Sequence, residues 1–551
     1  MQNSSINFLE KTKFNKLIIG LIIVILTFIT RIAVAPSQNG YSSYDSGNFI
    51  LATHSFSIQD DKPHLPGYYL FVVILKYTNL IIHNFYYSML FLSVLFTSIA
   101  SVLIFLLLDK YFEKLEAILL TLIIIFNPLV WFYSSSTEIY AFDLFFSALV
   151  FYIGLQKNGM YILPLLIALG TGVRQTTGLL LLPLCFYFFY RKLKEKDIDW
   201  LLLGTSIVPS LLAFAIWFVP MTNSIGGVHK YIEYSTSNSP IPQGLITKGL
   251  WGFARNLAGM FSYGFFGLIP SIISLIILLF YKIFRKKNQN VIPTEEGIPV
   301  MMKPGMKINS QMSILKYQLL YWLVPPILFF MVIHYAKGYL LLVFPFIFVI
   351  PAYLIIKKIL NIKSLILILI IQILVFLFYP YYYPSYEDNS NYDYRKLSKL
   401  ETSLNRFVSY YGMSYSHLKR LGRFYKEIDT LLNDKNFPVS KRAYIFVDPS
   451  VVPNHRILQI IYPDRTFLKL NQTEPDSYVK FSGTNFYYRD DFESILGVSV
   501  ILTSNSYYNR FLRNFSGTSL STKNFTIFIP TNKNIGEIAG QYMKFFNRVG
   551  Y

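Results

Sequence analysis

The stretch LPGYYLFVVILKYTNLIIH, residues 65–83, decides how the chain is threaded. By length and apolarity it passes for a membrane crossing, which takes about 20 residues. If it crossed, the Lys110/Lys114 loop, Arg191-Lys192-Leu193-Lys194 and Arg285-Lys286-Lys287 would all face outward. The positive-inside rule would then fail at every strong signal. Lying along the outer interface instead, the stretch returns all three basic loops to the cytoplasm. Lys76, Asn79 and His83 interrupt it and Pro66-Gly67 opens it, which suits an interfacial helix.

Upstream, Lys11, Lys13 and Lys16 precede an apolar run from Leu17 to Ala35. The run is long and no small-residue cleavage site closes it, so it reads as a retained helix with a cytoplasmic start. Residues 36–85 then form an outer loop that ends in the interfacial helix. Downstream, apolar runs near 86–108, 115–133, 139–156, 160–171, 174–190, 199–219, 257–281, 314–334, 339–357 and 363–380 complete about eleven spans. The pair at 160–190 is short for two crossings and reads as a hairpin whose tip, Gly170–Arg174, stays below the outer surface. Residues 282–313 form a basic cytoplasmic insertion without periodic pattern.

Composition agrees with a polytopic membrane protein. Of 551 residues, 53% are hydrophobic, 18% aromatic and only 15% charged, with a mean hydropathy of +0.41. These values exclude a soluble globular chain. The net charge of +20 sits largely in short loops between apolar runs, so its partner is the anionic headgroup layer and not nucleic acid. Cys185 is the single cysteine, so an intramolecular disulfide and a cysteine metal site are both excluded.

Past Tyr379-Pro380-Tyr381-Tyr382-Tyr383 the chain turns polar. Helical stretches are expected around Leu397–Phe407 and Leu418–Leu432. Four strand-like runs follow, Ala443–Val447, Thr466–Leu470, Val498–Thr503 and Phe525–Ile529, separated by Asn454–Tyr462 and Tyr507–Phe515. The expected fold is an α-helical transmembrane part over 1–380 with a small extracytoplasmic α/β domain over 381–551.

With this threading the scarce polar residues of the apolar part gather on one face. The outer loop, YSSYDSGNFILATHSFSIQDDKPHLPGYY over 41–69, carries Asp45, Asp61, Lys62 and His64. Glu138 stands at the outer mouth between two spans, Arg174 at the hairpin tip, and His334 and Lys337 in a tight turn before Gly338-Tyr339. Ionisable groups at membrane depth are costly and are functional candidates by default. Each has a bland alternative. Asp45 suits a turn or helix cap, Asp60-Asp61-Lys62 a solvated loop, and His64 an interfacial hydrogen bond. Glu138 suits a cap on the next helix, and Arg174 and Lys337 suit headgroup anchors. Their common sidedness is not expected of independent structural roles. Asp45 is the candidate base. Asp61, His64 and Glu138 are the groups open to a divalent ion, but nothing in their spacing requires one.

Four motifs resemble the GT-C class of integral-membrane glycosyltransferases. They are Asp45-Ser46-Gly47 after the first helix, Lys62-Pro63-His64-Leu65-Pro66-Gly67-Tyr68-Tyr69, Glu138-Ile139-Tyr140-Ala141, and Lys337-Gly338-Tyr339-Leu340-Leu341. The chain looks like the branch holding protein O-mannosyltransferases and the lipid A aminoarabinose transferase. It departs from that pattern where a single Lys62-Pro63-His64 replaces the doubled histidine-proline, and where Gly338 follows Lys337 directly.

The resemblance implies transfer of a sugar from a polyprenyl-phosphate donor to a hydroxyl acceptor on a protein, lipid or glycan. The reaction runs at the outer face of the cell membrane by a single inverting displacement. Asp45 would be the base, Arg174, Lys337 and Lys62 would bind the donor phosphate, and Asp61, His64, Glu138 and Tyr339 would support the substrates. The competing class is a lipid-linked-sugar flippase, which would carry charge at mid-membrane and on both faces.

Overall fold

The structure, a computed structural model, describes residues 2–36, 39–238, isolated positions between 245 and 260, 321–333, 337–343, 362–378, 414–436 and, with short interruptions, 439–531. Side chains are described from Lys16 onward. The apolar part is built of helices α1 (Gln2–Val34), α2 (Tyr44–His54), α3 (Tyr69–Ile82), α4 (Phe85–Leu108), α5 (Lys114–Ile125), α6 (Pro128–Ser134) and α7 (Tyr140–Gly154). It continues with α8 (Leu163–Val173), α9 (Gln175–Lys194), α10 (Trp200–Asn223), α11 (Val228–Asn238), α12 (Tyr321–Val332) and α13 (Ile362–Phe378). The expected span at 257–281, most of that at 339–357, the insertion at 282–313, the tyrosine girdle at 379–383 and the helix at 397–407 lie outside the described residues.

Among the described residues, Lys16–Val34, α4 and α10 are long and apolar enough to cross a membrane, and α5 with α6 makes a fourth if taken as one span bent by 63°. Burial separates their positions. In α4, 67% of the apolar window is covered by protein, whereas in α10 only 17% is, so α4 is central and α10 lies at the rim. Asn84 caps α4 through Tyr87 N–H at 3.1 Å, and Asp199 caps α10 through Leu202 N–H at 2.9 Å. Helix α3 has 14 residues, or about 21 Å at 1.5 Å per residue, against about 30 Å of hydrocarbon.

Among the differences from the sequence reading, two lie in the first half of the chain's helical part. The run 115–133 is broken at Asn127-Pro128, where proline takes the first helical position of α6 and Asn127 accepts from Leu129 N–H at 3.0 Å. The break frees carbonyls that a membrane interior leaves without water. Arg31 of α1, completely buried, answers it: Nη2 donates to the Ile125 carbonyl and Nε to Ser134 Oγ at 3.1 Å. Its guanidinium lies 5.3 and 5.6 Å from the ring centres of Phe126 and Trp131. The second difference is in the outer loop, where residues 44–54 form a helix. Its Phe49, Ile50, Leu51 and Ala52 are buried beneath the polar Tyr44-Asp45 end.

The polar part contains α14 (Tyr415–Leu432), β1 (Tyr444–Val447), α15 (His455–Ile461), β2 (Thr466–Lys469), β3 (Tyr478–Ser482), β4 (Asn485–Arg489), β5 (Ser499–Ser504), α16 (Asn505–Arg510), β6 (Gly517–Ser521) and β7 (Phe525–Pro530). The runs read as strands from the sequence correspond to β1, β2, β5 and β7; β3, β4 and β6 are additional. A mixed sheet of order β2-β1-β5-β7-β6 pairs β1 in parallel with both β2 and β5, then adds β7 and β6 antiparallel. A parallel pair needs a crossover, and α15 lies in the one joining β1 to β2. One face of α15 covers the sheet through Leu458, while Ile457 joins the apolar core of the helical part. The crossover helix therefore packs against α2, the helix that carries Asp45.

Candidate active site

Asp45 stands in the first turn of α2, where the positive helix end favours a carboxylate. The cap itself is Ser43, whose hydroxyl accepts from Ser46 N–H at 3.4 Å, so Asp45 is left to project. About 41% of its side chain is exposed, and its Oδ1 lies 3.6 Å from His64 Nδ1. That distance is too long for a hydrogen bond but brings the two groups face to face. The His64 ring packs near Tyr68 and Phe49, with centroids at 5.0 and 5.9 Å.

The start of α2 is joined to the segment carrying Glu138. Ser46 Oγ donates to the Thr137 carbonyl at 2.9 Å, and Ser42 N–H donates to Thr137 Oγ1 at 3.1 Å. Ser93 Oγ fixes the Glu138 carbonyl at 3.0 Å. Glu138 does not cap α7: the N-cap is Ile139, without a side-chain bond. Burial pushes the Glu138 carboxyl up to about 7, with the Asp45 charge adding to it, while the Ser43 and Ser42 hydroxyls and Arg174 pull it down. A carboxyl whose pKa rises on folding holds its proton more tightly in the folded chain. Its stabilising contribution is full below its ordinary value of 4.5 and is lost as pH climbs through about 7. In detergent, the melting temperature of the wild type should fall more between about pH 5 and about pH 8 than that of Glu138→Gln. Parallel curves would show that Glu138 is not held protonated.

Arg174 lies at the break between α8 and α9, with an extended backbone and its N–H on the Gly170 carbonyl at 2.9 Å. Arg174 is 3% exposed and its Nη1 pairs with Asp143 Oδ2, while Thr177 Oγ1 donates to Asp143 Oδ1. The guanidinium carbon is 4.2 Å from the centre of the Tyr339 ring and 4.9 Å from that of Tyr140. Tyr339 reaches this position because Gly338 has no side chain: a Cβ there would stand 2.2 Å from the Tyr140 ring. Tyr68 completes the group. Burial raises its pKa, with the Arg174 charge acting against that and Tyr339 and Asp45 reinforcing it. Glu138 and Tyr68 thus each feel both Asp45 and Arg174.

The remaining candidates are placed differently. Lys62 is buried at 3% exposure, with its backbone bonded to Ser57 in both directions at 2.7 and 2.8 Å. Burial lowers its pKa, Asp60 opposes that and Arg456 adds to it. Asp61 is at φ 54°, and its carbonyl accepts from Arg456 at 2.7 Å. Lys337 opens the 3-10 turn Lys337–Leu342; its side chain, like all of His334, lies outside the described residues. Among the described residues no three His, Cys, Asp or Glu side chains gather closely enough to hold a metal ion.

Sequence reasoning missed Asp143, Thr177 and Arg456. Asp143 carried a usable signal, an acid inside the apolar run 139–156. Arg456 carried none, because its partners are about 400 residues away.

Residues 45–199 match the family described as Protein O-mannosyl-transferase TMEM260 N-terminal domain. No curated protein matches the chain in sequence. In fold it is similar to ArnT from Cupriavidus metallidurans. The apo structure aligns with TM-score 0.55 at 10% identity, covering 94% of this chain and 98% of ArnT. The structure bound to undecaprenyl phosphate aligns with TM-score 0.51 at 10% identity, covering 93% and 97%. In fold along nearly its whole length, and in sequence over 45–199, the chain resembles the GT-C class of integral-membrane glycosyltransferases.

Proposed function

We propose that this protein is a membrane glycosyltransferase that takes a sugar from a polyprenyl-phosphate donor and passes it to a hydroxyl acceptor at the outer face of the membrane. The observation that carries the reading is an accessible carboxylate, Asp45, facing His64, whose ring packs near Tyr68, together with a buried cation, Arg174, held by Asp143 against the Tyr339 ring. Asp45 accepts the proton of the acceptor hydroxyl as that oxygen attacks the anomeric carbon. The bond from the anomeric carbon to the phosphate oxygen breaks on the opposite face, the lipid phosphate departs as an anion, and the centre inverts. Asp143 and Thr177 hold the Arg174 guanidinium in one orientation before the reaction. A fixed cation in a water-poor site is worth more to a developing charge than a mobile one. Lys337 and Lys62 add positive potential, and Asp61, His64 and Tyr339 shape the substrate cleft. Residues 1–380 form the transmembrane catalytic part, with about eleven spans, and 381–551 the extracytoplasmic α/β domain.

The likeness in fold to ArnT bound to undecaprenyl phosphate supports a lipid-linked donor. The direct test is release of polyprenyl phosphate by purified protein given a synthetic polyprenyl-phosphate sugar and a hydroxyl acceptor. A protein that moves the donor between leaflets without cleaving it would be the flippase of the alternative reading.

Threading is tested separately, with single cysteines at Gln59, Asn288 and Thr518 in a Cys185→Ala background and a membrane-impermeant thiol reagent on intact cells. Gln59 and Thr518 are exposed and should label, and Asn288 should not. Labelling at Asn288 would overturn the cytoplasmic placement of the basic insertion.

A further inference from the structure

Arg456 is a buried cation that the proposed chemistry does not use, and it lies on the crossover helix α15, far from the transmembrane spans in sequence. It is 4% exposed. Its Nη1 donates to Asn48 Oδ1 at 2.5 Å and to the Asp61 carbonyl at 2.7 Å, and its Nη2 to the Asp60 carbonyl at 3.2 Å. Its Cζ lies 5.0 Å from the centre of the Tyr44 ring. Asn48 and Tyr44 belong to α2 and flank Asp45 on that helix. Asp60 and Asp61 belong to the turn that leads through Lys62 to His64. A single guanidinium therefore ties together the two segments that set Asp45 against His64.

We propose that Arg456 is a positioning residue for the transferase site, a clasp by which the C-terminal sheet fixes the Asp45 helix relative to the His64 turn. The inference rests on the transferase reading above. Planarity matters, because three acceptors and a ring face are met at once, which an ammonium on a flexible stem cannot reproduce. Burial lowers the Arg456 pKa, and the Tyr44, Asp61 and Asp60 charges oppose that; the carbonyls and the Tyr44 face compensate a charge held out of water. Close approach of the two helices depends on Gly47, where a Cβ would stand 3.2 Å from the Arg456 Cβ.

The test measures turnover, donor affinity and donor-binding stoichiometry for Arg456→Lys, Arg456→Ala and Asn48→Ala beside Asp45→Asn. Arg456→Lys and Arg456→Ala should each lose about 10-fold or more in turnover, since small misplacement of reacting groups is expensive. Donor affinity and one-to-one stoichiometry should stay unchanged, which a loss of folded protein would not allow. Asn48→Ala, which removes one acceptor, should lose less and keeps the test open if Arg456→Ala fails to fold.

If Arg456→Lys and Arg456→Ala keep full turnover while Asp45→Asn is dead, the clasp has no part in positioning and the transferase reading stands. If the wild type itself does not cleave the donor, the transferase reading fails and this inference goes with it.

Discussion

Asp45→Asn should lose about 10²-fold or more in turnover, the usual scale for removing a positioned base. Asparagine preserves the size of the side chain and cannot accept a proton at neutral pH. The helix should not suffer, because its cap is the Ser43 hydroxyl and not Asp45. Donor affinity should be nearly unchanged, since proton transfer belongs to the transition state and not to the ground-state complex. Glu138→Gln is the necessary companion. Its carboxyl is pushed up to about 7, which is also where an effective base is expected, so the two acids are rivals for the role. Exposure favours Asp45. Near-normal turnover in Asp45→Asn with a dead Glu138→Gln would transfer the role to Glu138. Full turnover in both would defeat the mechanism proposed here.

The parts of this site that were legible in the sequence share one property, scarcity. An acid or a histidine in an otherwise apolar chain stands out, and the sidedness of Asp45, His64, Glu138 and Arg174 follows once the basic loops are placed in the cytoplasm. The α2 helix was not legible because Tyr44–His54 has a weak apolar pattern and Gly47 in its first turns; tertiary packing overrode the poor propensity. The break at Asn127-Pro128 was readable as a proline signal, but its compensation by Arg31 was not, because α1 and the α5–α6 break meet only in the folded bundle. Arg174 shows the limit most clearly. Its charge was visible and was read as a donor-phosphate ligand, but its partner Asp143 was read as part of an apolar span, so the buried ion pair was not foreseen.

That pair gives a prediction that separates stability from chemistry. Removing one member of a buried pair leaves the other charge uncompensated, at a cost of about 3–5 kcal/mol. Asp143→Ala should therefore lower thermal stability in detergent sharply, leaving Arg174 among Tyr68, Tyr140 and Tyr339 without its counter-ion. Arg174→Ala should do the same by stranding Asp143, which among the described residues then keeps the Thr177 hydroxyl alone. Replacing both by apolar residues of similar volume, Arg174→Met with Asp143→Leu, removes both charges at once, and such replacements are often neutral or stabilising. The double variant should recover stability to within about 1 kcal/mol of the wild type. It should not recover turnover, which should remain down by about 10²-fold or more because the leaving phosphate has lost its fixed cation. Arg174→Lys should keep most of the stability and still be poor in turnover, since an ammonium cannot face Asp143 and the tyrosines in the same plane. If the apolar double variant regains both stability and turnover, Arg174 only closes the gap between α8 and α9, and the phosphate is met by other residues.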